Sequence, residues 1–477
     1  MTQKPNILWL TLESVRADHT TTYGYERETT PNIEAVSERS DATVLSTAVS
    51  QSMWTPASTA SILTGTYLST HQLGQDGKAQ QKLRTDIRTF PQLLSNMGYE
   101  TKLFTPNIYI SSSTGLDRGF DDVENLITSK DDFLPTSTLF VDNWCCAARR
   151  LFEMDGVSVS RYKNDVIHNK TDIVPSRFRR WKKDRSGSNQ PFFAYAHLHA
   201  PHHPYLPIGK YRDIFDDDLE MSIDEAYSLV DNIYDGSDEI KRRMARGLDL
   251  DQHEWNAIRA LYDAETRLAD HIAGKVIEEA RDMSDRDLII IITSDHGDLF
   301  GEYGLLGHNL VLHDGLIRVP LVISGINDIA DGPDITTQHI DVVKTLASIT
   351  GVETEQFEGR DIRNPDRRFA ISQRGVASVD SYTEHDPNFR IPKVDKEPLT
   401  AVRSSQYKYL ESTGVQLLYD LPNEETDISE THPEMCQEFS DVLDEQGITW
   451  DHTGDRASSE FDDAARQRLR DLGYITD

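Results

Sequence analysis

Glu13, Thr55, Asp295 and His296 are the residues of this 477-residue chain whose types and surroundings could do chemistry together. Glu13 directly follows the apolar run NILWLTL (6–12), and Asp295-His296 follow DLIIIITS (287–294). A Glu, an Asp and a His are oxygen and nitrogen ligands for one divalent cation such as Mn²⁺, Mg²⁺ or Zn²⁺. Thr55 sits in SMWTPASTASILTG (52–65). It reads as an N-cap, with Pro56 at the first helical position. A helix start offers free N–H groups and a positive dipole end to an anion. A threonine hydroxyl alone is a poor nucleophile; a cation beside it lowers the cost of its alkoxide and aims it at an ester. His202 and His203, in the loop after PFFAYAHLH (191–199), are further candidates at a strand end.

Bringing residues so distant in sequence together needs a particular scaffold. NILWLTL, YETKLFT (99–105), PFFAYAHLH, DLIIIITS and VPLVIS (319–324) read as buried strands. Helices are expected from Pro31 to Val36, over 55–64, over 85–98 with Gly98 as its stop, within 251–281, and over 340–350 with Gly351 as its stop. Alternating strands and helices predict an α/β fold, a mostly parallel central sheet with helices on both faces. Ligands bind beyond the carboxyl ends of strands in such sheets, where Glu13, Asp295 and His202 fall. The stretches near 125–190 and 206–250 are polar and weakly periodic, and are expected to be surface insertions. From about 386 the pattern changes. TAVRSSQYKYL and VQLLYDL read as an antiparallel pair, and FDDAARQRLRDLG as a closing helix. The expected division is a catalytic domain over 1–385 and a small α+β subdomain with an acidic helical tail over 386–477.

The formal net charge of −31 repels nucleic acid and anionic lipid, so neither is an expected partner. The acidic residues are spread along the chain, as on a surface solvated in a high-salt cytoplasm. Three cysteines, two of them adjacent (Cys145, Cys146, Cys436), make no disulfide framework and fit a reducing compartment. The N-terminus runs straight into a strand without a signal-peptide pattern, and no apolar run is long enough to span a bilayer. A cytoplasmic protein is expected.

Taken in order, KPNILWLTLESVRADHTTTYGYERETTPNI, WTPASTASILTG, PFFAYAHLHAPHHPY, SDHGDLFGEYGLLGH and IRVPLVISG resemble the sulfatase family of the alkaline phosphatase superfamily. GLDRGFD, EGRDI and YKYL with LLYDL extend the resemblance to about residue 430. The departures are as informative. Sulfatases convert a Cys, sometimes a Ser, in a Cys-x-Pro-Ser-Arg motif to formylglycine. Thr55 holds that position here, Thr59 replaces the Arg, and Thr cannot become formylglycine. Glu13-Ser14 replaces the paired aspartates, Asp295-His296 the usual Asp-Asn, and Pro106-Asn107 stands where a Lys is usual. The set Glu, Thr, Asp, His is closer to the phosphoglycerol transferase and lipoteichoic acid synthase branch, which uses a Thr nucleophile and one Mn²⁺.

The resemblance implies one divalent metal, Mn²⁺ first with Mg²⁺, Ca²⁺ or Zn²⁺ as alternatives, held by Glu13, Thr55, Asp295 and His296. It implies Thr55 as the nucleophile, and His202 and His308 as catalytic residues near the ester, His202 as hydrogen-bond donor or general acid. Arg16 and Asp18 are expected to buttress the first loop, and Trp54 and Asn107 to shape the pocket. The substrate would be an anionic ester, a phosphate (di)ester or sulfate ester of a small molecule, glycan or lipid headgroup. A two-metal relative would need a second Asp-x-x-x-His set at a strand end, and none is placed. The alternative is a degenerate member that binds an anionic ligand or a partner without turnover.

Overall fold

The computed structural model describes residues 3–77, 81–126, 171–283, 286–353, 355–364 and 367–450. Cys145, Cys146 and the expected helix FDDAARQRLRDLG lie outside the described residues. Seven strands build the central sheet: β1 (Asn6–Leu12), β2 (Ala42–Val44), β3 (Glu100–Thr105), β4 (Asp122–Asn125), β5 (Phe192–Leu198), β6 (Leu288–Ser294) and β7 (Leu321–Ser324). Their spatial order is β2-β7-β6-β1-β5-β3-β4. From β6 to β4 all pairs are parallel; β7 runs antiparallel to both β6 and β2. The sheet is therefore mostly parallel, as expected.

The central strands are apolar at nearly every position because both faces are covered. On one face Ile7, Trp9, Tyr195, Ile289 and Ile291 pack with Ala60, Leu63, Leu94 and Leu346 from three helices. On the other, Leu8, Leu10, Ala196, Ile290 and Ile292 pack with Ile33, Phe178, Leu268 and Val276. This odd–even division follows from the period of two along a strand. The helix Gln252–Arg281 supplies much of the second layer and is opened by a capping box between Asp251 and Glu254.

Two expectations need correcting. The helix expected over 85–98 is only Phe90–Asn96, since Thr89 caps it in a capping box with Gln92 and Pro91 sits in its first turn. Pro91 has no N–H to donate and is tolerated only in a helix's first turn, so the helix cannot begin well ahead of Phe90. The segment 206–250 is more than a surface excursion. It contains helices Ile223–Ile233 and Gly236–Arg246, and Ala226, Val230, Ile233, Ile240 and Met244 are buried with Trp54 and Tyr205. The dense charge around them obscures a stripe at i, i+4 and i+7.

A second, antiparallel sheet contains β8 (Ala370–Arg374), β9 (Leu399–Arg403), β10 (Tyr407–Ser412) and β11 (Val415–Asp420). The expected antiparallel pair forms β9 to β11, and β8 joins it from ahead of residue 386. Helix Pro433–Glu445 packs on it through Phe439 and Leu443. This sheet braces the chain entering Thr55: Gln373 N–H donates to Gln51 O at 2.8 Å, and Ser52 Oγ donates to Gln373 O at 2.8 Å.

Candidate active site

Leu12 is in register with both Leu198 and Ser294, so β1, β5 and β6 end level. The next residues, Glu13, His199 and Asp295, leave the sheet side by side. Glu13 N–H still donates to Leu198 O at 2.9 Å, extending the ladder by one bond. The chain then turns at Ser14, whose φ of 64° is in the left-handed region. Such a residue costs about 1 kcal/mol or more and persists only when its surroundings fix it. Here Ser14 N–H donates to Asp295 Oδ1 at 3.2 Å, and Tyr262 O–H donates to Ser14 O at 2.8 Å. Arg16 completes the loop. It binds both oxygens of Asp18 at 2.9 and 2.8 Å, Glu302 Oε1 at 2.6 Å and Asp298 O at 3.0 Å. Arg16 and Asp18 thus take the buttressing places expected of them, and Arg16 also ties the first loop to the loop after β6.

Thr55 does not cap its helix, contrary to expectation. The helix is Thr55–Thr64 and the residue in the N-cap place is Trp54, extended at φ −154° and ψ 155°, with no side-chain cap bond. Thr55 is the first helical residue. Its hydroxyl points away from the helix, 3.1 Å from Glu13 Oε1 and 3.2 Å from His296 Nε2. Thr55, Glu13, Asp295 and His296 are all buried.

These four side chains present lone pairs to one another. His296 Nδ1 lies 2.9 Å from the carbonyl of Gly297, which can only accept, so Nδ1 carries the proton and Nε2 of the neutral ring does not. Glu13 Oε1 accepts from Asn107 Nδ2 at 2.7 Å, and Oε2 lies 2.7 Å from His199 Nδ1 and 3.3 Å from His197 Nε2. Asp295 Oδ1 accepts from the N–H groups of Ser14 and His296. Its Oδ2 is buried without a hydrogen-bond partner, 3.4 Å from His296 Nε2. An orphaned buried carboxylate oxygen is costly unless a cation meets it. Among the described residues, the set at this centre whose single ligand atoms all lie within 4.8 Å of one another is Glu13, His197 and Asp295, with His296 adjoining through Asp295. These residues therefore fit a divalent cation, and the Thr55 hydroxyl lies beside them.

Burial would raise the Glu13 carboxyl, but the charges of His199 and His202, with the His199 hydrogen bond and the close His197 ring, hold it well below the usual range. Burial lowers His197, and the Glu13 carboxylate more than offsets this, so His197 lies above its ordinary value.

His202 and His308 meet beside this centre. The His308 ring is 4.4 Å from that of His296 and 5.0 Å from that of His202, centroid to centroid. His308 Nδ1 is 2.7 Å from Asp298 Oδ1, and Tyr205 O–H donates to Asp298 Oδ2 at 2.6 Å. His202 Nδ1 is 2.7 Å from the carbonyl of His203. Burial and the neighbouring His203 push His202 well below its ordinary value; burial likewise lowers His308 against the pull of Asp298. Asn107 lines the site through its bond to Glu13, and Trp54 immediately precedes Thr55.

Sequence reasoning missed His197, His199 and Asp298. The alternation signalled the first two: His197 pairs in register with Thr11, so His197 and His199 share a face with Glu13.

The sulfatase family profile matches residues 5–352. The chain belongs to the sulfatase family. This sulfatase-family chain is 27% identical over 252 residues to the choline-sulfatase of Rhizobium meliloti, covering 51% of this chain and 47% of that protein. It is 28% identical over 198 residues to the multifunctional alkaline phosphatase superfamily protein PehA of Trinickia caryophylli, covering 38% of each. It spans less than half the length of these curated relatives. The solved phosphonate monoester hydrolase of Agrobacterium radiobacter superimposes with a TM-score of 0.66 at 17% identity, over 93% of this chain and 95% of that one. That of Silicibacter pomeroyi gives 0.67 at 17% identity, over 94% and 96%. These two share the fold. No helix among the described residues is long and apolar enough to cross a membrane.

Proposed function

We propose that this sulfatase-family protein is a metal-dependent ester hydrolase or transferase. It would cleave phosphate mono- or diesters or sulfate esters through Thr55, without formylglycine, and phosphate is the favoured class. The observation that carries the reading is the place of Thr55 Oγ1, buried at a helix start between Glu13 Oε1 and His296 Nε2.

A divalent cation held by Glu13, Asp295 and His296 would lower the cost of ionising Thr55 and stabilise charge on the transferring group. Two carboxylates, one imidazole and a hydroxyl are a mostly oxygen donor set, which suits Mn²⁺ or Mg²⁺. Asn107, His197 and His199 hold the Glu13 carboxylate in one orientation. Ser14 and the His296 N–H do the same for Asp295. The first turn of the Thr55–Thr64 helix directs its dipole toward an oxygen of the ester. Thr55 Oγ1 forms a bond to phosphorus or sulfur as the bond to the leaving oxygen breaks. The hydroxyl proton passes to solvent water, and the leaving oxygen takes one back from solvent, so no net proton is gained or lost in this step. Water or an acceptor hydroxyl then cleaves the threonyl ester and restores the hydroxyl. His202 and His308 bind on the leaving-group side. Thr is preferred for phosphate because phosphoryl transfer proceeds through an ordinary hydroxyl. The acidic surface fits work in a high-salt cytoplasm.

The test is hydrolysis of three aryl esters, a sulfate, a phosphate monoester and a phosphate diester, in high salt with Mn²⁺. Turnover of a phosphate ester well above that of the sulfate is expected. Faster turnover of the sulfate would reverse the preference, and no turnover of any would favour binding without catalysis.

A further inference from the structure

The Lys408 ammonium, on β10, is fully buried, and Arg403, its register partner on β9, is buried beside it. Like charges directly opposite one another destabilise a strand pair, so the sheet alone gives no reason for this placement. Both cations turn instead to one short segment of the chain after His308. Arg403 Nε donates to both Asp314 oxygens at 3.2 and 3.1 Å, and Nη2 donates to Oδ2 at 2.8 Å. Lys408 Nζ donates to Leu312 O at 2.9 Å and to Glu424 Oε2, and stands 3.5 Å from Asp314 Oδ1. Glu424, buried just past β11, accepts the Asp314 N–H on Oε1 at 2.8 Å. An ion cluster taken out of water gains little stability over apolar packing of the same volume. What this one does fix is where Leu312 and Asp314 stand against the second sheet.

Asp314 opens the short helix Asp314–Ile317, and the other end of that helix sits against the candidate centre. Leu316 O accepts from the N–H of Gly297, the residue after His296, at 2.7 Å. Ile317 O accepts from Ser50 N–H at 2.8 Å, and Ser50 Oγ donates to Asp295 O. No side chain cushions the contact. A Cβ on Gly297 would stand 2.1 Å from Gly315 O, and one on Gly315 would stand 3.0 Å from Arg16 Nη1. Backbone packed on backbone transmits a displacement without loss, so a shift of this helix moves Gly297 and Ser50 with it.

We infer that Lys408 is a positioning residue: through Leu312, Glu424 and Asp314 it holds the helix Asp314–Ile317 against Gly297 and Ser50, and so fixes the backbone that carries Asp295 and His296. Its bearing on turnover rests on the proposed Thr55 reaction; the coupling of Lys408 to this backbone does not. The antiparallel sheet then supports the centre from two sides, at the chain entering Thr55 through Gln373 and at Asp295-His296 through Lys408.

The experiment is hydrogen exchange of the full chain read by mass spectrometry, beside turnover of an aryl phosphate diester at saturating Mn²⁺. Lys408→Met removes the ammonium. Lys408→Met with Glu424→Gln also removes the charge left unpaired, so it folds where the single variant fails to. Phe439→Ala is the control, since Phe439 packs on the other face of the same sheet, against Tyr409. In both Lys408 variants the peptides containing Gly297 and Ser50 should exchange roughly tenfold faster, with the β1 peptide unchanged. Their kcat should fall about tenfold with KM little altered. Phe439→Ala should lower the melting temperature and leave the Gly297 and Ser50 peptides as in the wild type. Wild-type exchange at Gly297 and Ser50 in the folded Lys408 variants would overturn the inference. An equal rise in Phe439→Ala would overturn it too, as would faster exchange with undiminished turnover. If the wild type turns over no ester while the Lys408 variants alone loosen Gly297 and Ser50, the proposed reaction fails and the coupling stands.

Discussion

Thr55 Oγ1 and His296 Nε2 lie 3.2 Å apart across 241 residues of sequence. The sheet makes this meeting, because β6 ends level with β1, and the helix beginning at Thr55 is braced from behind by β8. One hydroxyl proton faces two acceptors, Glu13 Oε1 and His296 Nε2, in a buried site. Such a surplus of lone pairs calls for a cation.

Asp295→Asn keeps an oxygen for the Ser14 and His296 N–H groups but removes the charge facing the cation. It should lose the metal of this centre and activity together, with its fold retained. In the wild type the melting temperature should climb with added Mn²⁺ and fall on chelation, since a ligand that binds only the folded state stabilises it. A melting temperature unmoved by Mn²⁺ would argue against the centre. Calorimetry with and without chelator reads this.

Arg16→Ala should destabilise the protein by about 3 kcal/mol, the lower end for a broken buried charge cluster. Asp18 and Glu302 reach solvent and soften the loss. Activity should fall as well, because Arg16 joins the loop bearing Glu13 to the loop bearing Asp298. Urea unfolding and a rate assay, run on the same preparation, separate the two effects.

His71 gives a pH test away from the metal centre. Burial pushes its imidazole down to about 3. The unfolded residue takes its proton near its ordinary value of about 6.5, so between these limits the unfolded chain holds more protons. The neutral buried ring is fully tolerated above about pH 6.5 and becomes a liability as pH falls toward 3. Asn at this position keeps an acceptor for the Leu73 N–H and does not titrate. From about pH 7 to about pH 5 the wild type should lose roughly 2 kcal/mol more than His71→Asn. Equal losses in urea melts at the two pH values would refute this.

Much of the scaffold was legible because buried parallel strands write themselves as short apolar runs. NILWLTL and LIIIITS became β1 and β6 with little change. Glu13, Thr55, Asp295 and His296 were legible from strand ends and family motifs, and the structure brings them together. The cap role of Thr55 was misread, because a helix boundary one residue away decides whether a hydroxyl serves the backbone or points outward. His197 and His199 were obscured in a histidine-rich run, where only the pairing register shows which rings meet Glu13. The helices Ile223–Ile233 and Gly236–Arg246 were hidden by charge, though Tyr234, in the turn between them, stacks on the His203 ring at the edge of the site.

The acidic surface predicts salt-dependent stability. Raising KCl from about 0.1 M to about 2 M should increase the melting temperature, as screening relieves self-repulsion at a net charge of −31. A melting temperature independent of salt would remove the halophilic reading and leave the site untouched.

The most direct measurement is the turnover of an aryl phosphate diester by Thr55→Val beside the wild type, with metal content matched. Val fills the same space, and no helix cap is lost. The expected result is a folded, metal-loaded protein whose kcat/KM has fallen by roughly 10⁴-fold or more. A folded Thr55→Val protein within about tenfold of the wild type would contradict the nucleophile.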